Sequence, residues 1–67
     1  MKRWNTKNKT YIENNSIDNF LNEIEKICQK YNFSLSHEDN HGAFLIEKFE
    51  EKNVKWLKSA IDNTNQS

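Results

Sequence analysis

The clearest pattern in the chain is a stripe of apolar residues between positions 16 and 31. Its members recur at intervals of three and four residues: Ile17, Phe20, Leu21, Ile24, Ile27, Cys28 and Tyr31. This spacing places them on one face of an α-helix. Ser16 is a suitable N-cap, Asp18 matches the positive end of the helix dipole, and Asn32 suits a left-handed C-cap. We therefore predict a helix over residues 16–31.

Two short runs of alternating residues follow this helix, FSLSH at 33–37 and AFLIE at 43–47. In the first run, Ser34 and Ser36 share one face, which we expect to be partly wet, and the other three residues share the opposite face. The segment between the runs is polar and contains the only glycine of the chain, Gly42. A glycine there favours the positive φ of a hairpin loop. The pattern predicts a β-hairpin over residues 33–47.

A second helical stripe predicts an α-helix over residues 50–62. Val54, Leu57 and Ile61 repeat at helical spacing, and Trp56 and Ala60 widen the apolar face, so we expect Trp56 in the core. The predicted fold is a small α+β domain of helix, hairpin and helix over residues 16–62, followed by a polar tail at 63–67. Both helices would cover one face of the hairpin. The open face and free strand edges favour a homo-oligomer.

The first fifteen residues have no helical period and admit two interpretations. One is a flexible basic N-terminal arm, residues 1–15, because chain termini are often poorly ordered. The other is an added strand over residues 10–12 that reaches back toward Trp4, because Thr, Tyr, Ile and Trp favour strands. Residues 1–12 have a formal charge of +4, and residues 13–67 have a formal charge of −4. This split predicts a basic segment ahead of an acidic body.

Composition restricts the class of protein. The chain has 67 residues, of which 34% are hydrophobic, so its core is thin. Cys28 is the single cysteine, which excludes an intrachain disulfide. No apolar run approaches the length of about 20 residues that a membrane span needs, and no apolar stretch follows the first basic residues as in a signal peptide. We therefore expect a cytoplasmic protein with no membrane partner.

Both histidines lie in the one dense polar segment of the chain, at residues 36–42. We predict that this segment is a binding loop formed by His37, Glu38, Asp39, His41 and Gly42. Its carboxylates can accept hydrogen bonds from a partner's arginine, lysine or base amines. Its protonated histidines can donate to phosphate, and the glycine lets a ligand approach the backbone. The expected partner is a host protein or a small anionic ligand such as a nucleotide. A solvated turn that serves only the fold is the alternative.

Three other functions compete with this hypothesis. A metal site would use His37, Asp39 and His41, whose two-residue spacing puts them on one side of an extended chain. Catalysis lacks a supported nucleophile and an enclosing pocket, so we expect no enzyme, no catalytic residue and no cofactor. Nucleic-acid binding would use a basic and aromatic set near the N-terminus, where cations meet phosphates and rings stack on bases: Lys2, Arg3, Trp4, Lys7 and Lys9.

The segment SLSHEDNHGAFLIEKF (34–49), followed by NVKWLKSA (53–60), resembles a group of short phage and prophage proteins. These proteins have a helix, a segment of the form S-H-E-D-x-H-G-A-F-x-I-E, and a final helix with a Trp-Leu pair. The resemblance covers residues 17–62 and leaves out the basic segment. It implies a small accessory protein of a phage or mobile element that inhibits a host enzyme or sequesters a defence signal in the host cytoplasm. It implies no particular site residue.

Overall fold

The computed structural model describes residues 1–65. Residues 66 and 67 of the predicted tail lie outside the described residues. The described part contains six elements: β1 (Lys2–Asn5), β2 (Thr10–Glu13), α1 (Asn15–Tyr31), β3 (Phe33–His37), β4 (Phe44–Lys48) and α2 (Glu51–Lys58). Each pair of strands forms its own two-stranded antiparallel sheet. The predicted α+β class is therefore confirmed. No helix within residues 1–65 is long and apolar enough to cross a membrane.

The N-terminal residues form a hairpin, as the strand interpretation of residues 10–12 expected, and not a flexible arm. Strands β1 and β2 pair in antiparallel register, with Trp4 opposite Tyr11. Their rings meet edge to face with centroids 5.3 Å apart. Lys9, in the turn, has a φ of 54°. An isolated two-stranded hairpin is marginal in water, so this one depends on contacts with the rest of the chain.

Helix α1 follows its predicted bounds closely, but its N-cap is Asn14 and not Ser16. The Asn14 side chain accepts a hydrogen bond from the backbone N–H of Ile17 at 3.2 Å. At the other end, Asn32 takes the predicted left-handed conformation with φ 58°. Its backbone N–H closes the last turn onto helix carbonyls, as a left-handed C-cap does.

Helix α2 ends at Lys58, four residues before the predicted end. Beyond it the chain extends beside β1, where Asp62 and Asn5 form a parallel bridge. The Asp62 N–H donates to the carbonyl of Trp4 at 2.8 Å, and its carbonyl accepts from the Thr6 N–H at 3.0 Å. These bonds use backbone groups that a longer helix would need for itself. The bridge also ties the N-terminal hairpin to the end of the domain.

The serine face of the second hairpin, which we expected to be partly wet, contains the one buried residue of that hairpin. Ser34 is 1% exposed, whereas Phe33 is 53% exposed. The Ser34 hydroxyl donates to the carbonyl of Lys48 at 2.7 Å and accepts from the Asn53 side chain at 3.0 Å. The Asn53 amide also donates to the Glu47 carboxylate at 2.9 Å. Helix α2 therefore lies against β3, and its Asn53 side chain bonds to Ser34.

The buried set is small and largely polar. Its apolar members are Leu21, Cys28 and Val54, and its polar members are Arg3, Asn5, Ser34, Asn53 and Asp62. Many large apolar side chains remain exposed, among them Phe20, Phe44, Ile46 and Ile61. Trp56, expected in the core, is 44% exposed. Several side chains that the sequence pattern assigned to the core are therefore only partly enclosed by this domain.

Candidate functional site

The segment between β3 and β4 is a closed turn and not an extended loop. The Glu38 N–H donates to the Ala43 carbonyl at 2.8 Å, and the Gly42 N–H donates to the Glu38 carbonyl at 3.1 Å. Gly42 has a φ of 68°, the positive value expected of the single glycine. The hairpin geometry therefore sets the backbone of the predicted binding loop.

Glu38 stabilises this turn from within. Its carboxylate accepts hydrogen bonds from the backbone N–H groups of Asn40 at 2.7 Å and His41 at 2.8 Å. The second oxygen also lies 2.8 Å from Nδ1 of His41, a hydrogen bond that needs a proton on that nitrogen. These bonds hold the pKa of Glu38 below its ordinary value, and the bond from the Asn40 N–H has the largest effect. Glu38 thus has few lone pairs left for a partner.

Asp39 is the exposed anion of the turn. Its side chain is 96% exposed, and its Oδ1 lies 3.1 Å from Nδ1 of His37. The carboxylate is therefore available to a partner's cation while His37 holds its orientation.

The metal alternative does not form in the structure. Its three candidate ligands were His37, Asp39 and His41, but Nδ1 of His41 bonds to Glu38, whereas Asp39 bonds to His37. Within residues 1–65 no group of three or more histidine, cysteine or acidic side chains is placed to hold a metal ion. The turn at the tip breaks the two-residue alternation on which the hypothesis depended.

An apolar groove lies beside this turn and was missed in the sequence. The ring of His37 lies 6.3 Å, between centroids, from both Phe44 and Trp56. We call the groove next to these rings the aromatic groove. It has a volume of about 490 Å³ and is lined by Phe44, Trp56, Leu57, Ser59, Ala60 and Ile61. The signal in the sequence was the apolar stripe of the second helix, whose last residue, Ile61, remains exposed because the helix ends early.

The candidate nucleic-acid set is divided by the N-terminal hairpin. Arg3 is buried, and its Nη1 donates to the carbonyls of Lys58 at 3.0 Å and Ala60 at 2.9 Å. Its Nη2 donates to Asp18 at 2.7 Å, and this bond is the main cause of the lowered pKa of Asp18. Arg3 therefore cannot contact a phosphate. The other four members are exposed: Lys2, Trp4, Lys7 and Lys9.

Asp62 is a buried carboxylate held by neutral donors. Its Oδ1 accepts from the Thr64 hydroxyl at 2.7 Å and from the Thr64 N–H at 3.0 Å. Its Oδ2 accepts from the side-chain amides of Asn5 at 3.1 Å and Asn14 at 3.4 Å. These bonds lower the pKa of Asp62, and the bonds from Thr64 have the largest effect. The group joins three segments of the chain, which is a role in the fold.

No family model, no curated protein and no solved structure matches this chain. What the protein binds must therefore be inferred from its own surfaces.

Proposed function

We propose that this protein is a non-enzymatic binding protein of the phage accessory type, which holds a segment of a host protein in the aromatic groove. The observation that supports this proposal most strongly is the exposed cluster of Phe44 and Trp56 beside the charged turn. Tryptophan is among the residues that contribute most to protein–protein affinity. A groove with such walls fits an apolar anchor side chain of the partner.

The rim of the groove indicates the charge of that partner. His37 lies 6.3 Å, between ring centroids, from Phe44 and Trp56, and its Nδ1 lies 3.1 Å from Asp39, so a single residue separates the exposed carboxylate from the walls of the groove. A lysine or arginine next to the apolar anchor would pair with it. The histidines already face the carboxylates Glu38 and Asp39, which favours a basic protein segment over an anionic ligand such as a nucleotide.

The test is a comparison of short peptides, each with one leucine or phenylalanine anchor flanked by either arginine or glutamate. Binding is followed by the amide and indole signals of ¹⁵N-labelled protein. We expect the arginine-flanked peptides to shift the signals of Trp56 and Phe44. Replacing Trp56 with Ala should weaken binding by about 30-fold, the effect of a strong hot-spot residue. Replacing Asp39 with Asn should remove the preference for arginine.

The matched control is Trp4→Ala, because Trp4 is the other exposed tryptophan and lies on β1. This variant should bind the peptides as the unmodified protein does. Equal weakening by Trp4→Ala and Trp56→Ala, or peptide-induced shifts confined to the N-terminal hairpin, would contradict the proposal.

A further inference from the structure

Strand β4 has one paired edge and one open edge. It pairs only with β3 among the described residues, and all five of its residues are exposed. Open, apolar strand edges readily pair with another strand, and proteins usually protect them with charges, bulges or coverage. In β4 the first three residues are apolar, and the only charged residues, Glu47 and Lys48, are at its C-terminal end.

The hydrogen bonds that flank the strand show which backbone groups face outward. The Glu38 N–H donates to the Ala43 carbonyl, and the Phe49 N–H donates to the Asn32 carbonyl. In an antiparallel pair, residues directed toward the neighbouring strand alternate with residues directed away from it. The N–H and C=O groups that point away from β3 are therefore those of Phe44, Ile46 and Lys48.

We propose that a second copy of this chain pairs with the open edge, β4 against β4 in antiparallel orientation, about a twofold axis at Ile46. The result is a continuous four-stranded sheet across two protomers. Ile46 faces its own copy, and Phe44 of each protomer faces Lys48 of the other. All the outward N–H and C=O groups of these residues then find partners.

The charges of β4 are compatible with this register. With the axis at Ile46, Glu47 lies opposite Leu45 of the second copy and Lys48 lies opposite Phe44. No like charges face each other, and the ammonium group of Lys48 lies near an aromatic ring. A register centred on Glu47 would instead set that carboxylate against its own copy, which is unfavourable.

The exposed apolar area around the strand also suits a dimer. Phe44 is 69% exposed and Ile46 is 71% exposed. Ile46 also lines an apolar groove of about 290 Å³ with residues of α1, and three more lining residues, Ile27, Tyr31 and Phe33, are over half exposed. An aromatic side chain buries about 150–250 Å², so these side chains together offer roughly 500 Å². With the strand backbone added, this approaches the area of about 800 Å² per partner in standard interfaces.

The test is the molar mass of the unmodified protein and of two variants, measured by size-exclusion chromatography with light scattering over a concentration series. Ile46→Lys places two like charges at the twofold axis, and the exposure of Ile46 leaves the protomer fold intact. We expect a dimer for the unmodified protein and a monomer for Ile46→Lys. The matched control is Phe20→Lys, at a similarly exposed position on α1, which should remain dimeric.

A second measurement needs no variant. Amide hydrogen exchange at Phe44, Ile46 and Lys48 should slow as the protein concentration rises, whereas exchange at exposed amides of the N-terminal turn should not change. A monomer at every concentration, a dimer that persists in folded Ile46→Lys, or exchange at these three amides that ignores concentration would overturn the proposal. Phe44 also lines the aromatic groove, so Ile46 and Trp56 are the residues that separate this dimer from peptide binding.

Discussion

The side chain of Arg3 joins the N-terminal hairpin to the end of helix α2, so a substitution at Arg3 tests how the hairpin is held. Arg3 is 3% exposed and donates from one nitrogen to the carbonyls of Lys58 and Ala60. A cation at this place also matches the negative end of the helix dipole. The substitution Arg3→Ala removes the donor and leaves these carbonyls without a partner. The N-terminal hairpin then loses a main attachment.

The loss of stability in Arg3→Ala follows from the two hydrogen bonds that Arg3 donates to carbonyls. A hydrogen bond to a charged group contributes about 1.5–3 kcal/mol, and water that enters the vacated site recovers part of it. We therefore expect the free energy of unfolding to fall by roughly 2–4 kcal/mol. A domain of this length has a free energy of unfolding of roughly 3–10 kcal/mol in total. At about 4–8 °C per kcal/mol, the thermal unfolding midpoint should fall by roughly 8–32 °C.

The assay is thermal and urea unfolding followed by circular dichroism at 222 nm. Lys2→Ala is the matched control, because Lys2 is a neighbouring but exposed cation of the same strand. It should change stability by less than about 0.5 kcal/mol. Arg3→Lys should give an intermediate loss, since one ammonium group cannot reproduce the planar fork of arginine. Equal midpoints for Arg3→Ala and Lys2→Ala would refute the reasoning and indicate a hairpin that is not held by Arg3.

Three further measurements follow from the structure. Several carboxyl groups have a pKa below the ordinary value: Asp18, Glu38 and Asp62. The unfolded chain binds more protons than the folded one near those values. The stability from these groups should therefore be fully present above about pH 5 and fall as the pH drops further. Urea midpoints that rise on acidification would contradict this direction. Leu21→Ala, at a buried position of α1, should cost about 2–5 kcal/mol in urea unfolding, and a loss below 1 kcal/mol would mean that this core is not packed as described. Lys7→Ala with Lys9→Ala should leave single-stranded DNA binding, measured by fluorescence anisotropy, as weak as in the unmodified protein; tight binding that these changes abolish would restore the nucleic-acid alternative.

The elements that the sequence predicted well depend on local signals. Helix α1 has an apolar stripe of the right period, and its C-cap is an asparagine in the left-handed conformation. The second hairpin is defined by two alternating runs and by Gly42 at a positive φ. In each case the residues that determine the structure lie within a few positions of one another. No distant partner was needed to recognise them.

The N-terminal hairpin and the early end of α2 depend on distant partners. Arg3 meets carbonyls 55 and 57 positions away along the chain, and Asn5 pairs with Asp62. A basic segment of a dozen residues gives no local sign of these contacts. Its lysines suggested an arm, whereas its single arginine fixes the hairpin.

The candidate site was only partly predictable for a related reason. Alternation shows which side chains share a strand face, but it does not show which face a helix will cover. Here the Asn53 side chain of α2 donates to Ser34, which is buried, whereas Phe33 on the other face is over half exposed. The turn at 38–43 was recognised, but its neighbour Trp56 comes from another element and needed the tertiary structure.

The bridge between Asn5 and Asp62 also has a kinetic consequence. It closes a loop of nearly the whole chain, and the entropy cost of closure must be met before the contact contributes to stability. The local elements α1 and the second hairpin can form earlier, because their contacts are short in sequence. During synthesis, the N-terminal hairpin can dock at this bridge only after the segment that contains Asp62 has been made. Mutations at Arg3 or Asp62 should therefore accelerate unfolding and leave the folding rate nearly unchanged.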